Sequence, residues 1–82
     1  MAKSFHLTVA RVGENIFEGD AVSVSAQGSE GMFQILAGHE AFVSDLVKGE
    51  IQVKAADEQM YHFETPHGGL VEVSHAQVTV LL

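Results

Sequence analysis

GSEGMFQILAGHEAF, residues 28 to 42, sets an acidic loop bracketed by Gly28 and Gly31 directly before a short apolar run. The run alternates. Phe33 and Ile35 point one way, Met32, Gln34 and Leu36 the other, which is the two-residue period of a β-strand and not the 3.6-residue period of a helix. Gly38 then ends the strand ahead of His39 and Glu40. The stretch therefore reads as one strand held between two glycine-bearing loops.

The same period extends in both directions. On the N-terminal side, Phe5, Leu7 and Val9 alternate with His6 and Thr8, and Val22, Val24 and Ala26 alternate with Ser23 and Ser25. Between them, Gly13-Glu14-Asn15 reads as a turn, Ile16-Phe17 as a brief strand and Gly19-Asp20 as a second turn. On the C-terminal side, Ala41 to Leu46 has no clean period and Asp45 to Gly49 reads as a turn. Ile51, Val53 and Ala55 form a further strand, Ala56 to Gln59 a hairpin connection, and Tyr61 and Phe63 the return strand. Pro66-His67-Gly68-Gly69 stops it, because proline cannot donate to a ladder. Leu70 to Val73 and Val78 to Leu82 finish the chain around a turn at residues 74–77. Eight to ten short strands, a turn signal about every ten residues and no amphipathic helix give an all-β antiparallel sandwich or flattened barrel.

The chain has 82 residues and is expected to be a single domain. A domain of this size buries only about 60% of its unfolded surface and is marginal alone. It contains no cysteine, so no disulfide supports it. Formal net charge is −7, from 11 acidic against 4 basic residues. Lys3, Arg11, Lys48 and Lys54 are scattered, which argues against nucleic-acid binding and against adsorption to an anionic membrane. No run is long and apolar enough for a signal peptide or a membrane span, so a soluble, intracellular protein is expected.

Candidate chemistry is sparse. His6, His39, His62, His67 and His75 show no HxH spacing and no acidic partner at a telling offset, so surface histidines are preferred to a zinc site. Ser44 and Asp45 lie near His39, but triad members converge from separate elements and no GxSxG elbow is present. The Gly28–Gly31 loop leads into a strand and carries a carboxylate, unlike loops that cradle phosphate at a helix start. Lys48 and Lys54 lack the sequence context of biotinyl or lipoyl carrier domains. Glu72, inside Leu70–Val73, is either a carboxylate on a solvated face or a polar group meeting another subunit, with Val71 and Val73 on the core side. What remains is a rigid scaffold presenting loops, which suits docking.

The pattern closely resembles the N-terminal β domain of the ATP synthase epsilon subunit. That family reads Gly-Ser-Glu-Gly, a short strand ending Ile-Leu or Ile-Tyr, then Pro-Gly-His; this chain has Gly28-Ser29-Glu30-Gly31, Ile35-Leu36 and Ala37-Gly38-His39. Phe5-His6-Leu7-x-Val9, Phe17-x-Gly19, Lys48-Gly49-x-Ile51-x-Val53, Gly68 to Val73 and Val78-Thr79-Val80-Leu81 follow in order. The chain departs from the family at Ala37 and Ala41, where proline is usual, and in Pro66-His67.

The resemblance implies a flattened barrel of about ten strands, no catalysis and no cofactor or metal. It implies a central-stalk subunit that links the gamma subunit to the ring of c subunits and transmits torque in proton-coupled ATP synthesis. Such a subunit lies peripherally at an energy-coupling membrane, on the cytoplasmic side of the inner membrane in a bacterium. Ser29, Glu30, Gly31 and Met32 would face the c ring, and Gly38, His39, Phe42 and Val43 the gamma subunit. Typical members continue into a two-helix C-terminal domain that brakes ATP hydrolysis. This chain stops at Leu82, so residues 1–82 are expected to form the sandwich without that hairpin and with reduced inhibition. The alternatives are an epsilon-like adaptor serving a different protein partner and a histidine-based metal-binding barrel with enzymatic activity.

Overall fold

Strand β2 organises the molecule. It runs from Glu14 to Gly28, 15 residues, which fully extended would span about 46 Å. The longest dimension of the whole chain is only 35 Å, so β2 must bend. The bend falls where the pairing skips: Ala21 faces Ala55 but Ser23 already faces Lys54, leaving Val22 as an extra residue. A bulge of this kind turns a strand and increases its twist. Beyond it the alternation changes phase. Ala21, Val24 and Ala26 are buried, whereas Val22 is only half-buried.

The computed structural model describes residues 3–38 and 40–82. Around β2 lie β1 (Phe5–Arg11), β3 (Gly31–Leu36), β4 (Phe42–Leu46), β5 (Gly49–Ala55), β6 (Met60–Thr65), β7 (Gly69–Ser74) and β8 (Gln77–Leu81). The pairing order is β1-β8-β7-β4-β2-β5-β6, with β3 on β2 and a further β1–β2 pairing. The C-terminal half of β2 lies in one layer with β3, β5 and β6. Its N-terminal half pairs with β1, which continues through β8 and β7 to β4 in the second layer. One strand shared by both layers converts two sheets into a flattened, nearly closed structure.

Three expectations change. The turn at Gly19-Asp20 is absent, because β2 passes straight through those residues while pairing with Leu7 and His6. Two short strands thereby merge, and the described residues form eight strands, within the eight to ten read from the sequence. The segment without a clean period, Ala41 to Leu46, contains β4, and the turn expected from Asp45 shrinks to the connection after buried Leu46. The sheet is also not wholly antiparallel, since β1 and β8 run parallel from His6↔Gln77 to Ala10↔Leu81.

The core is aliphatic. Leu7, Val9, Val24, Ile35, Val53, Val71 and Val80 are fully buried or nearly so, as alternation along half-buried strands requires. Glu72 is exposed between buried Val71 and Val73. Thr65 is the buried polar residue among those described, and its hydroxyl donates to the Val47 carbonyl at 3.0 Å. Phe17 closes the far edge, with its ring centroid 5.1 Å from Tyr61 and 6.0 Å from Phe63.

Candidate docking groove

The β2–β3 hairpin is regular from Ser23↔Leu36 to Gly28↔Gly31, so its tip is Ser29-Glu30. The hairpin end is tied to β4 by three contacts. Gly28 bridges Leu46, Val47 N–H donates to the Gln27 carbonyl at 3.0 Å, and the Ser29 hydroxyl donates to Asp45 Oδ1 at 2.9 Å. The strands approach closely at Gly28: a Cβ there would lie 3.1 Å from the Phe33 ring and 3.3 Å from both the Asp45 carbonyl and the Ser44 hydroxyl, so these neighbours would have to give by a few tenths of an ångström.

Away from that junction β3 and β4 do not pair with each other. The seam between them forms a groove of about 590 Å³, lined by residues 28–33 and 40–45. Phe33 and Phe42 meet edge to face across it, centroids 5.9 Å apart at 80°, an arrangement aromatic pairs favour. Glu30, Glu40 and Asp45 supply carboxylates along the groove, and no lysine or arginine lines it among the described residues.

The structure thus brings together two residue sets expected on separate contact surfaces. Ser29, Glu30, Gly31 and Met32 form one wall and tip, and Phe42 and Val43 belong to the opposite wall. Gly38 lies in the β3–β4 connection at φ 84° and outside the groove lining. His39 lies outside the described residues. Alternation along β4 also separates Phe42 from Val43: Phe42 is half-buried against Phe33, whereas Val43 points outward and is 61% exposed. Sequence reasoning missed Phe33 and Asp45 as parts of this site, because only the fold sets them against β4.

Other polar clusters are surface contacts between histidines and carboxylates. His6 Nε2 lies 3.2 Å from Glu18 Oε2 and its Nδ1 3.8 Å from Asp20, while His62 lies 3.6 Å from Glu50. Among the described residues no three histidines or carboxylates are grouped to hold a metal. The Ser44 hydroxyl donates to the Asp45 backbone carbonyl at 3.2 Å, and the Asp45 carboxylate accepts from Ser29. Neither is arranged as nucleophile and base. No helix among the described residues is long and apolar enough to cross a membrane.

The described residues thus form a small β sandwich whose carboxylate-rimmed seam is displayed beside a hairpin tip. Residues 4–82 match the model of the ATP synthase delta/epsilon chain β-sandwich domain, and the chain belongs to that family. It is 37% identical over 81 residues to the ATP synthase epsilon chain of Thioalkalivibrio sulfidiphilus, covering 99% of this chain and 57% of that one. It is 32% identical over 79 residues to the epsilon chain of Chlorobium limicola, covering 96% and 89%. The chain therefore spans little more than half the length of the first of these relatives and nearly all of the second. A chain of the Euglena gracilis mitochondrial ATP synthase, in a structure of OSCP, F1 and c-ring, superposes with a TM-score of 0.87 at 25% identity, covering 95% of this chain and 49% of that one. The Tetrahymena thermophila central stalk and c-ring structure contains the same fold, TM-score 0.78 at 16% identity, over 96% and 63%.

Proposed function

We propose that this chain is a non-catalytic rotor subunit of an F-type ATP synthase, seated between the gamma subunit and the c ring and carrying torque between them. The observation that carries the reading is the match over residues 4–82 to the family's β-sandwich domain, supported by fold identity with a chain in an F1 and c-ring assembly. The physical design agrees. A torque element must resist shear, and β2, shared by both layers, couples them through continuous main-chain hydrogen bonding. A small domain that is marginal alone gains stability from its partners by mass action.

In this reading Ser29, Glu30, Gly31 and Met32 at the hairpin tip face the c ring, and Glu30 meets its polar loops. Gly38, His39, Phe42 and Val43 face gamma, with Val43 the exposed apolar contact on the β4 wall. The two partners then converge on the groove. The protein is peripheral to the energy-coupling membrane, on its cytoplasmic side in a bacterium.

The test is titration of the chain with a cognate gamma subunit, followed by size exclusion. A stoichiometric complex with submicromolar affinity is expected. A folded chain that forms no complex would sink the stalk reading and favour an adaptor for another partner.

A further inference from the structure

We infer that the free edge of β3 is a strand-addition site, which takes an extended, basic segment of a partner protein by main-chain pairing while the adjoining groove receives its side chains. The inference deepens the docking reading above and rests on it.

Among the described residues β3 pairs with β2 alone. Its outer edge therefore presents alternate N–H and C=O groups without a strand partner. Natural sheets blunt such edges with charge, proline or a bulge, because a bare edge invites another strand. The other open edges here are blunted. β6, terminal in the pairing order, carries His62 and Glu64 and runs into Pro66. β4 carries Asp45, and the N-terminal half of β2 carries Glu14, Glu18 and Asp20. β3, Gly31-Met32-Phe33-Gln34-Ile35-Leu36, has no charge and no proline, and its register on β2 is unbroken over six pairs. Its outward side chains add apolar surface: Met32 is 70% and Leu36 51% exposed. An edge left this bare is an edge that is covered in the working state.

Charge selects the occupant. Glu30, Glu40 and Asp45 line the groove beside β3, and the whole chain carries −7. A basic segment complements this field. A second copy of the chain, pairing β3 to β3, would bring the same acidic tips into one interface and is disfavoured. Strand addition supplies affinity through the main chain and selectivity through alternate side chains. The six residues of β3 span about 20 Å, enough for a six- or seven-residue segment. The Gly28↔Leu46 bridge and the Ser29–Asp45 hydrogen bond close the groove at the hairpin end and limit how far that segment reaches.

The test uses the isotopically labelled 82-residue chain and a synthetic peptide of seven residues alternating lysine and leucine. Two controls accompany it: the same peptide N-methylated at alternate residues, and its glutamate–leucine analogue. The lysine peptide is expected to bind and to slow amide exchange in residues 31–36 by about tenfold or more, with both controls weaker by a similar factor. Equal binding of the N-methylated peptide overturns main-chain pairing and leaves side-chain docking in the groove. Absence of peptide binding, by a chain that still binds gamma, overturns the strand site and spares the stalk reading. Protection of β3 amides in a concentration-dependent dimer without peptide overturns the occupant in favour of a second copy.

Discussion

At the scale of single residues, Glu30 and Val43 stand on opposite walls of the groove, and each reports on one of them. Glu30→Lys is expected to leave the unfolding free energy within about 0.5 kcal/mol of wild type, because the side chain is exposed at a hairpin tip. It should nevertheless weaken rotational coupling to the c ring in a reconstituted synthase, and normal coupling would remove the tip from that contact. Val43→Ala should likewise spare the fold while costing about 1 kcal/mol or more of gamma affinity. Phe42→Ala behaves differently, since its ring also braces Phe33. It should lower stability and gamma affinity together, each by about 2 kcal/mol, which paired calorimetric and binding measurements would separate. Gly68 shows a purely structural requirement. Its φ is +72° and an added Cβ would collide with the Leu46 carbonyl oxygen, a backbone atom that cannot move aside. Gly68→Ala should cost about 3 kcal/mol or more, and a urea midpoint near wild type would contradict that geometry.

At the scale of elements, the bulge at Val22 decides which face of β2 is core. Before it Ala21 points inward; after it Val24 and Ala26 do, with Ser23 and Ser25 excluded from the fully buried set. A one-residue slip exchanges the two faces of a strand. Inserting one further residue after Val22 should therefore press Ser23 and Ser25 into the core, and the chain should lose its cooperative thermal transition, whereas deleting Val22 removes the bulge and keeps Val24 and Ala26 on the core face. Retention of a sharp melt by the insertion would mean that the bulge absorbs the added residue. The β5–β6 connection carries a milder strain. Glu58 N–H donates to the Ala55 carbonyl at 2.9 Å while Glu58 itself sits at φ 71°, a position that turns of this kind give to glycine. Glu58→Gly should stabilise by up to about 1 kcal/mol, raising the midpoint of a thermal melt by up to about 4–8 °C.

At the scale of the whole molecule, charge and size act together. Eleven acidic side chains on an 82-residue domain repel one another, and the few cations are spread too thinly to offset them. Raising sodium chloride from about 10 mM to about 300 mM, which shortens the screening length well below the molecular dimension, should raise the melting temperature of the isolated chain. A fall with salt would mean that attractive surface pairs, such as Arg11 with Glu14, outweigh the repulsion. In the proposed assembly, binding to gamma and the c ring would add stability by mass action.

Local alternation was enough to determine the all-β class, most of the strands and the core residues from Leu7 to Val80, because a half-buried strand writes its two faces directly into the order of residues. The glycines and Pro66 likewise marked the turns, and the spacing of Gly28 to His39 carried the family resemblance. What the sequence left open depended on pairing between distant segments. Gly19-Asp20 has turn composition, yet β1 supplies partners that carry β2 through it. Ala41 to Leu46 shows no period, yet β7 pairs with Phe42 to Leu46 and makes a strand of it. The groove exists only because β3 stays on β2 while β4 pairs with β7, so that residues apart in sequence line one seam. Periodicity records the environment of each residue along its own strand, whereas the identity of the neighbouring strand is set by tertiary packing.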